Sequence, residues 1–243
     1  MVRSRVAVLD VKIDVVTMEE AVRTVEQFIN QPKTHLVVTP NAEIIMMAQT
    51  DKHLAQIINN ADLVVPDGAG VVWAAHFNGD AMPERVAGYD LVQNLLAKAS
   101  TKKYRIYMLG GAPGIVEQAK NTAEKRYPGV QIVGTRHGFF TKNDESEIIK
   151  NIKSSHPDVL LVALGVPRQE KWLSEFIEEI GVPVGIGVGG TFDVMAGVVK
   201  RAPVWMQNAK IEWLYRLLSE PKRAIRMLAL PKFVMQVIAR KKK

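Results

Sequence analysis

Apolar residues along the chain alternate between two spacings. Val6 to Leu9 and Lys12 to Val16 carry short strand-like runs and predict a hairpin. Thr17-Met18-Glu19-Glu20 is a capping-box pattern, and Ala21, Val22, Val25, Phe28 and Ile29 then recur at helical spacing to about Asn30. His35 to Val38 predicts a buried strand, ended by Thr39-Pro40-Asn41. Helices follow through Ile44, Ile45 and Met47, and from about His53 to Asn59. Leu63 to Val65 is a short apolar run stopped by Pro66, which has no N–H for a ladder. Gly68 and Gly70 turn the chain into a helix over Val71 to His76, and Gly88 to Ser100 predicts another.

The second half repeats a strand–helix rhythm. Strands are predicted at Arg105 to Leu109, Val130 to Gly134, Val159 to Leu164 and Val184 to Val188. Helices are predicted at Pro113 to Arg126, Lys142 to Ser154 and Arg168 to Ile180. Continuous apolar strands alternating with helices imply an α/β fold, a Rossmann-like, mostly parallel sheet covered on both faces. After Gly197 the texture changes. One helix is expected from Pro203 to Leu218, a second from Lys222 to Leu230 closed by Pro231, and a third from Lys232 into the terminal lysines. Helices without strands cannot extend the sheet, so the chain divides into an α/β core, 1–199, and a basic helical appendage, 200–243.

Charge sharpens that division. The appendage carries twelve Lys and Arg against Glu212 and Glu220, a net +10, leaving −3 of the chain's +7 on the preceding residues. Such asymmetry points to an anionic partner, lipid headgroups or nucleic acid, with a solvated helix face as the plain alternative. Trp205, Trp213, Tyr215, Met227, Leu230, Phe233 and Val237 interleave with the basic residues, which suits an interfacial helix; an oligomer interface would use the same apolar face. No nucleic-acid motif accompanies the charge. There is no cysteine, which excludes disulfides and thiolate metal sites. Residues 1–6 hold no apolar core of leader length, and no run approaches the roughly 18 apolar residues of a membrane span.

Candidate chemistry gathers at the strand exits, where open α/β sheets bind ligands. Asp67 stands between a strand and a helix start, as a functional carboxylate or as an N-cap. Gly110 and Gly111 follow a strand and open a helix, either approaching a phosphate or forming a tight turn. Gly189, Gly190, Thr191 and Asp193 leave the last strand in a glycine-rich run, through close approach of a ligand or close packing. Thr39, Asn41, Arg168 and Gln169 sit at further exits, and Arg85 lies in a polar loop. Together they imply one shared crevice. The five histidines show no metal-ligand spacing, and there is no Walker lysine, no nucleophile elbow and no complete dinucleotide fingerprint.

Several of these segments resemble the family 26 glycosyltransferases, the WecG/TagA/CpsF family. They are Thr39-Pro40-Asn41, Pro66-Asp67-Gly68, Arg85-Val86-Ala87-Gly88, Gly165-Val166-Pro167-Arg168-Gln169-Glu170, Gly189-Gly190-Thr191-Phe192-Asp193, Arg201-Ala202-Pro203 and Glu212-Trp213-Leu214-Tyr215-Arg216. One departure is Lys210-Ile211 where the family pattern has Gly-Leu. The resemblance implies an inverting, cofactor-free and metal-independent transfer of N-acetylmannosamine. Its donor would be a UDP-sugar and its acceptor undecaprenyl-diphosphate-linked N-acetylglucosamine, in wall teichoic acid linkage-unit synthesis. A relative using the corresponding uronic acid, and a non-catalytic nucleotide-binding membrane adaptor, are the alternatives. It further implies Asp67 as general base, Thr39 and Asn41 orienting the donor sugar, and Arg85 and Gln169 holding substrate. Gly110, Gly111 and the Gly189-to-Asp193 turn would seat the nucleotide. Arg216, Arg223 and Arg226 would close over a diphosphate, with the enzyme on the inner face of the bacterial cell membrane and no nucleic acid involved.

Overall fold

The computed structural model describes residues 3–209, 211–219 and 228–241, without the side chains of 208, 216 and 219. The chain opens with the antiparallel hairpin β1 (Arg5–Val8) and β2 (Val11–Asp14). Asp14, fully buried, ties this hairpin to the body. Its carboxylate accepts from the Nε groups of Arg3 and Arg5 at 3.3 and 3.0 Å and from the backbone N–H of Val64 at 2.7 Å. The last bond anchors the strand that leads to Asp67.

Helix α1 (Met18–Ile29) starts on the Thr17–Glu20 capping box, both halves of which form. Then come β3 (His35–Val38), α2 (Ala42–Ala48), α3 (Lys52–Asn60), β4 (Leu63–Val64), α4 (Ala69–Asn78) and α5 (Gly88–Lys102). The strand–helix rhythm continues with β5 (Arg105–Gly110), α6 (Ile115–Arg126), β6 (Gln131–Arg136), α7 (Lys142–Ser154), β7 (Val159–Ala163), α8 (Arg168–Ile180), β8 (Val184–Gly187) and α9 (Thr191–Met195). Six strands form one parallel sheet in the order β4-β3-β8-β7-β5-β6. From β5 the chain moves outward to β6, whereas from β7 it moves the other way to β8. The carboxyl ends of β5 and β7 therefore flank a topological switch point.

Helices cover both faces. Val22, Leu91, Leu96, Val116 and Phe192 bring α1, α5, α6 and α9 onto one side, and Ile152, Trp172 and Leu173 bring α7 and α8 onto the other. A third apolar cluster joins the hairpin to α2, α3 and α4 through Ile13, Ile45, Leu54 and Val71.

The C-terminal region departs from its expected outline. The single helix expected over Pro203 to Leu218 is two, α10 (Val204–Asn208) and α11 (Glu212–Ser219). The N–H of Ile211 donates to the carbonyl of Met206 at 3.0 Å, a wide turn that closes α10. Met206 and Glu212 are both buried, and on one continuous helix they would lie about 120° apart. The break turns both inward. Pro231 does not end a helix but stands in the first turn of α12 (Ala229–Lys241), where its missing N–H costs no intrahelical bond. The helix expected over Lys222 to Leu230 lies largely outside the described residues, as does Lys210. Phe233 and Val237 of α12 are 1% and 2% exposed and belong to the third cluster, against α2 and α4.

Candidate active site

Two adjoining cavities open at the carboxyl edge of the sheet. The first, about 290 Å³, lies at the exits of β3, β4, β7 and β8 and is lined by Thr39, Asn41, Asp67, Gln169, Gly189, Gly190, Thr191, Asp193 and Arg201, among others. The second, about 670 Å³, lies at the switch point between β5 and β7 and is lined by Gly111, Gly138, Phe139, Phe140, Arg168 and Asp193. Ala163 and Asp193 face both.

Asp67 is held on a short path. The N–H of Asp67 donates to the carbonyl of Val65 at 2.9 Å, and the N–H of Val86 donates to the carbonyl of Pro66 at 3.0 Å. The helix start belongs to Gly68, at φ 92°, with no side-chain cap, so Asp67 is not the N-cap of α4. Gly88 lets the walls close around this carboxylate. A Cβ there would stand 3.2 Å from Thr39 Oγ1 and 3.5 Å from Asp67 Oδ2. Thr39 and Asp67 thus meet across one glycine, although they lie 28 positions apart in sequence. Thr39 Oγ1 also donates to the carbonyl of Gly187 at 3.3 Å. Asn41 is the N-cap of α2, its Oδ1 accepting from Ile44 N–H at 3.0 Å, and it lines the cleft as well.

Arg85 links Asp67 to the C-terminal region. Its Nη2 donates to Glu212 Oε2 at 2.9 Å, while its Nε stands 3.7 Å from Asp67 Oδ1, beyond hydrogen-bonding distance. A second tie runs parallel. Arg201 grips both oxygens of Asp90, at 2.6 and 2.7 Å, and lies over the ring of Tyr89 at 4.8 Å. Burial alone would lower the Arg201 pKa, but the hydrogen bonds and charge of Asp90 hold it above its ordinary value. Both ties join residues after 200 to the segment between Arg85 and Asp90.

The floor of the cleft is built by α8 and the β8 exit. Gln169, 2% exposed, accepts at Oε1 from Gly189 N–H at 3.0 Å and donates from Nε2 to Glu170 Oε1 at 2.8 Å. Thr191 Oγ1 donates to the carbonyl of Val188 at 2.6 Å and shapes the same turn. Arg168 donates to the carbonyls of Gly138 and Phe140 at 3.1 and 3.3 Å, walling the second cavity.

Among the described sequence candidates, Gly110 and Arg85 line neither cavity. Gly110 packs: a Cβ there would fall 2.2 Å from the carbonyl oxygen of Ala163, so glycine is required by contact with β7. Gly111, at φ 71°, does line the second cavity. Arg216 lies on α11 with its side chain undescribed, and Arg223 and Arg226 lie outside the described residues. Sequence reasoning passed over Arg201, Asp90, Glu170 and Glu212 as site residues. Arg201 and Glu212 stood inside segments that carry the family resemblance, but their roles depend on partners far along the chain.

Among the described residues, no group of three or more His, Cys, Asp and Glu is placed to hold a metal, and no helix is long and apolar enough to cross a membrane.

Comparison with known proteins adds to this geometry. The model of the glycosyl transferase WecG/TagA/CpsF family matches residues 6–243. A Bacillus spizizenii protein is 37% identical over 211 residues, 87% of this chain and 81% of its own length. A Bacillus subtilis strain 168 protein is 35% identical over 217 residues, covering 89% and 84%. A Staphylococcus aureus strain MW2 protein is 34% identical over 242 residues, covering 99% and 94%. All three are named N-acetylglucosaminyldiphosphoundecaprenol N-acetyl-beta-D-mannosaminyltransferase.

Proposed function

The chain belongs to the WecG/TagA/CpsF family of glycosyltransferases, and from that premise we propose that it moves N-acetylmannosamine from UDP-N-acetylmannosamine to undecaprenyl-diphosphate-linked N-acetylglucosamine. Its relatives' names describe transfer of N-acetylmannosamine to that acceptor; the UDP-linked donor and the place in wall teichoic acid linkage-unit synthesis belong to the proposal.

Asp67 is the general base. It takes the proton from the acceptor's 4-hydroxyl as that oxygen forms its bond to the donor's anomeric carbon. The bond to the UDP oxygen breaks on the opposite face, which inverts the configuration and gives a β-1,4 linkage. The observation carrying this assignment is the carboxylate at the cleft wall, facing Thr39 across Gly88, while Gly68 takes the N-cap position of α4. Arg85 stands beside it, its guanidinium shared with Glu212. Thr39 and Asn41 orient the donor sugar. Gln169, Gly189, Gly190, Thr191 and Asp193 shape the wall against the nucleotide sugar, and Gly111 faces the adjoining cavity. Transfer without a metal leaves charge neutralisation on the leaving diphosphate to arginines, and Arg216, Arg223 and Arg226 are assigned to it. The basic C-terminal helices hold the enzyme peripherally on an anionic membrane surface, where the acceptor resides.

The test is incubation with UDP-N-acetylmannosamine and a short-chain lipid-diphosphate acceptor, with product mass and linkage determined. Asp67→Asn should lower kcat by about 10²–10⁴-fold, the usual contribution of a positioned base. Product formed by Asp67→Asn at the native rate refutes the assignment.

A further inference from the structure

Glu170 follows Gln169 on α8 and points into the protein, not into the cleft. It is 2% exposed, and its Oε2 is buried with no hydrogen-bond partner. Its other oxygen has a specific task. Glu170 Oε1 accepts from Gln169 Nε2 at 2.8 Å, and Gln169 Oε1 in turn accepts from Gly189 N–H at 3.0 Å. Strand β8 makes room for this chain of bonds. A Cβ on Gly187 would lie 2.8 Å from Gln169 Nε2 and 3.3 Å from Glu170 Oε1.

A glutamine amide has two faces related by a half turn, one offering an oxygen and the other an NH₂. Only one orientation satisfies the N–H of Gly189. In the other, NH₂ would face N–H and a buried donor would be left unmade. Something must select the first orientation, and a carboxylate oxygen on the opposite side of the amide does so by accepting from the NH₂.

We propose that Glu170 is a positioning residue for donor binding: it fixes the orientation of the Gln169 amide and, through that amide, holds the Gly189–Gly190 turn in the shape that receives the nucleotide sugar. This role rests on the cleft being a UDP-sugar site. It explains a buried carboxyl behind the cleft that lines neither cavity and is shielded from solvent. Burial pushes the Glu170 pKa up to about 7, and in either protonation state Oε1 remains able to accept from Gln169.

The experiment uses the full chain and three variants, Glu170→Ala, Glu170→Gln and Gly187→Ala. UDP affinity is measured by calorimetry, donor KM and kcat by turnover, and the Gln169 side-chain amide is followed by ¹⁵N NMR. Thermal unfolding confirms that each variant is folded. Glu170→Ala should raise the UDP dissociation constant and donor KM about tenfold with kcat changed far less, the scale of one buried hydrogen bond. The Gln169 amide signals should move with it. Glu170→Gln supplies an equivalent oxygen and should restore both readouts. Gly187→Ala crowds the same pair from the strand side, chiefly the Gln169 amide at 2.8 Å, and should reproduce the donor defect with the Glu170 side chain itself intact. Native UDP affinity and unmoved Gln169 signals in Glu170→Ala overturn the role, as does Glu170→Gln failing as badly as alanine. Failure of the native chain to bind UDP sinks the nucleotide-sugar reading and this role with it. Native binding with an unaffected Glu170→Ala removes Glu170 alone.

Discussion

Replacing Phe233 by alanine removes the side chain that seats α12 on the rest of the molecule. Phe233 is 1% exposed and sits in the cluster formed by the hairpin, α2, α3 and α4. Its ring reaches within 3.7 Å of where a Cβ on Gly70 would stand, so the space it vacates is bounded by the backbone of α4. Backbone on that side cannot collapse into the void. The expected loss is therefore that of a poorly relaxing Phe→Ala change, about 3–5 kcal/mol. For a domain of this size that is roughly 6–20 °C in Tm if the molecule unfolds as one unit. Because α12 is the last element, the loss can instead emerge as local undocking. Hydrogen exchange over residues 229–241, measured beside urea denaturation, captures both. Met235, 62% exposed on the same helix, supplies the control, and Met235→Ala should stay within about 0.5 kcal/mol. Undocking should also lower turnover, since α4 begins at the turn that carries Asp67. If Phe233→Ala and Met235→Ala behave alike in exchange, denaturation and activity, α12 does not dock as described.

Three further outcomes follow from the geometry. Glu212→Gln weakens the charge-assisted bond to Arg85 and lets the guanidinium approach Asp67, so kcat should fall about ten- to a hundredfold with donor KM less affected; unchanged kcat counts against the link. Gly110→Ala places a methyl 2.2 Å from the Ala163 carbonyl at φ 130°, and should cost at least about 1–3 kcal/mol in denaturant unfolding, whereas Gly79→Ala, with open space around it, bears only its backbone strain. Glu170 binds its proton more tightly in the folded state, about 7 against an ordinary 4.5. Its favourable contribution is thus complete below pH 4.5 and is lost as pH rises through 7, by up to about 3 kcal/mol. Glu170→Gln should flatten that part of the stability profile. His35, whose pKa burial lowers, contributes with the opposite sign, and comparison of the two chains at each pH isolates Glu170. An identical slope in both overturns the assignment.

Much of the core is legible in the sequence alone. The helices at Lys142–Ser154 and Arg168–Ile180 begin and end where their periodicity says, and the Thr17 box caps the first helix as its four residues dictate. Each of these signals is local. Helical spacing reports which side of a single element meets apolar matter, and a cap satisfies N–H groups within one turn. Where the competing demand was distant, local pattern misled. The apolar residues from Pro203 to Leu218 read as one helix, but burial of both Met206 and Glu212 breaks it. Pro231 read as a terminator and serves as a first-turn residue.

The sequence by itself determined the α/β class, the parallel strands and the set of strand exits where polar and glycine residues collect, because those follow from periodicity and from backbone groups that glycine and proline alone permit. Only the tertiary structure decided which exits meet. Insertion of β8 between β3 and β7 carries Gly187 and Gly189 against Thr39 and Gln169, and the docking of α11 brings Glu212 to Arg85 from 127 residues away. It also divided two adjacent glycines by task, Gly110 packing on β7 and Gly111 lining a cavity. Contacts of that kind depend on strand order and on which faces remain to be covered, and neither is written in the neighbourhood of any one residue.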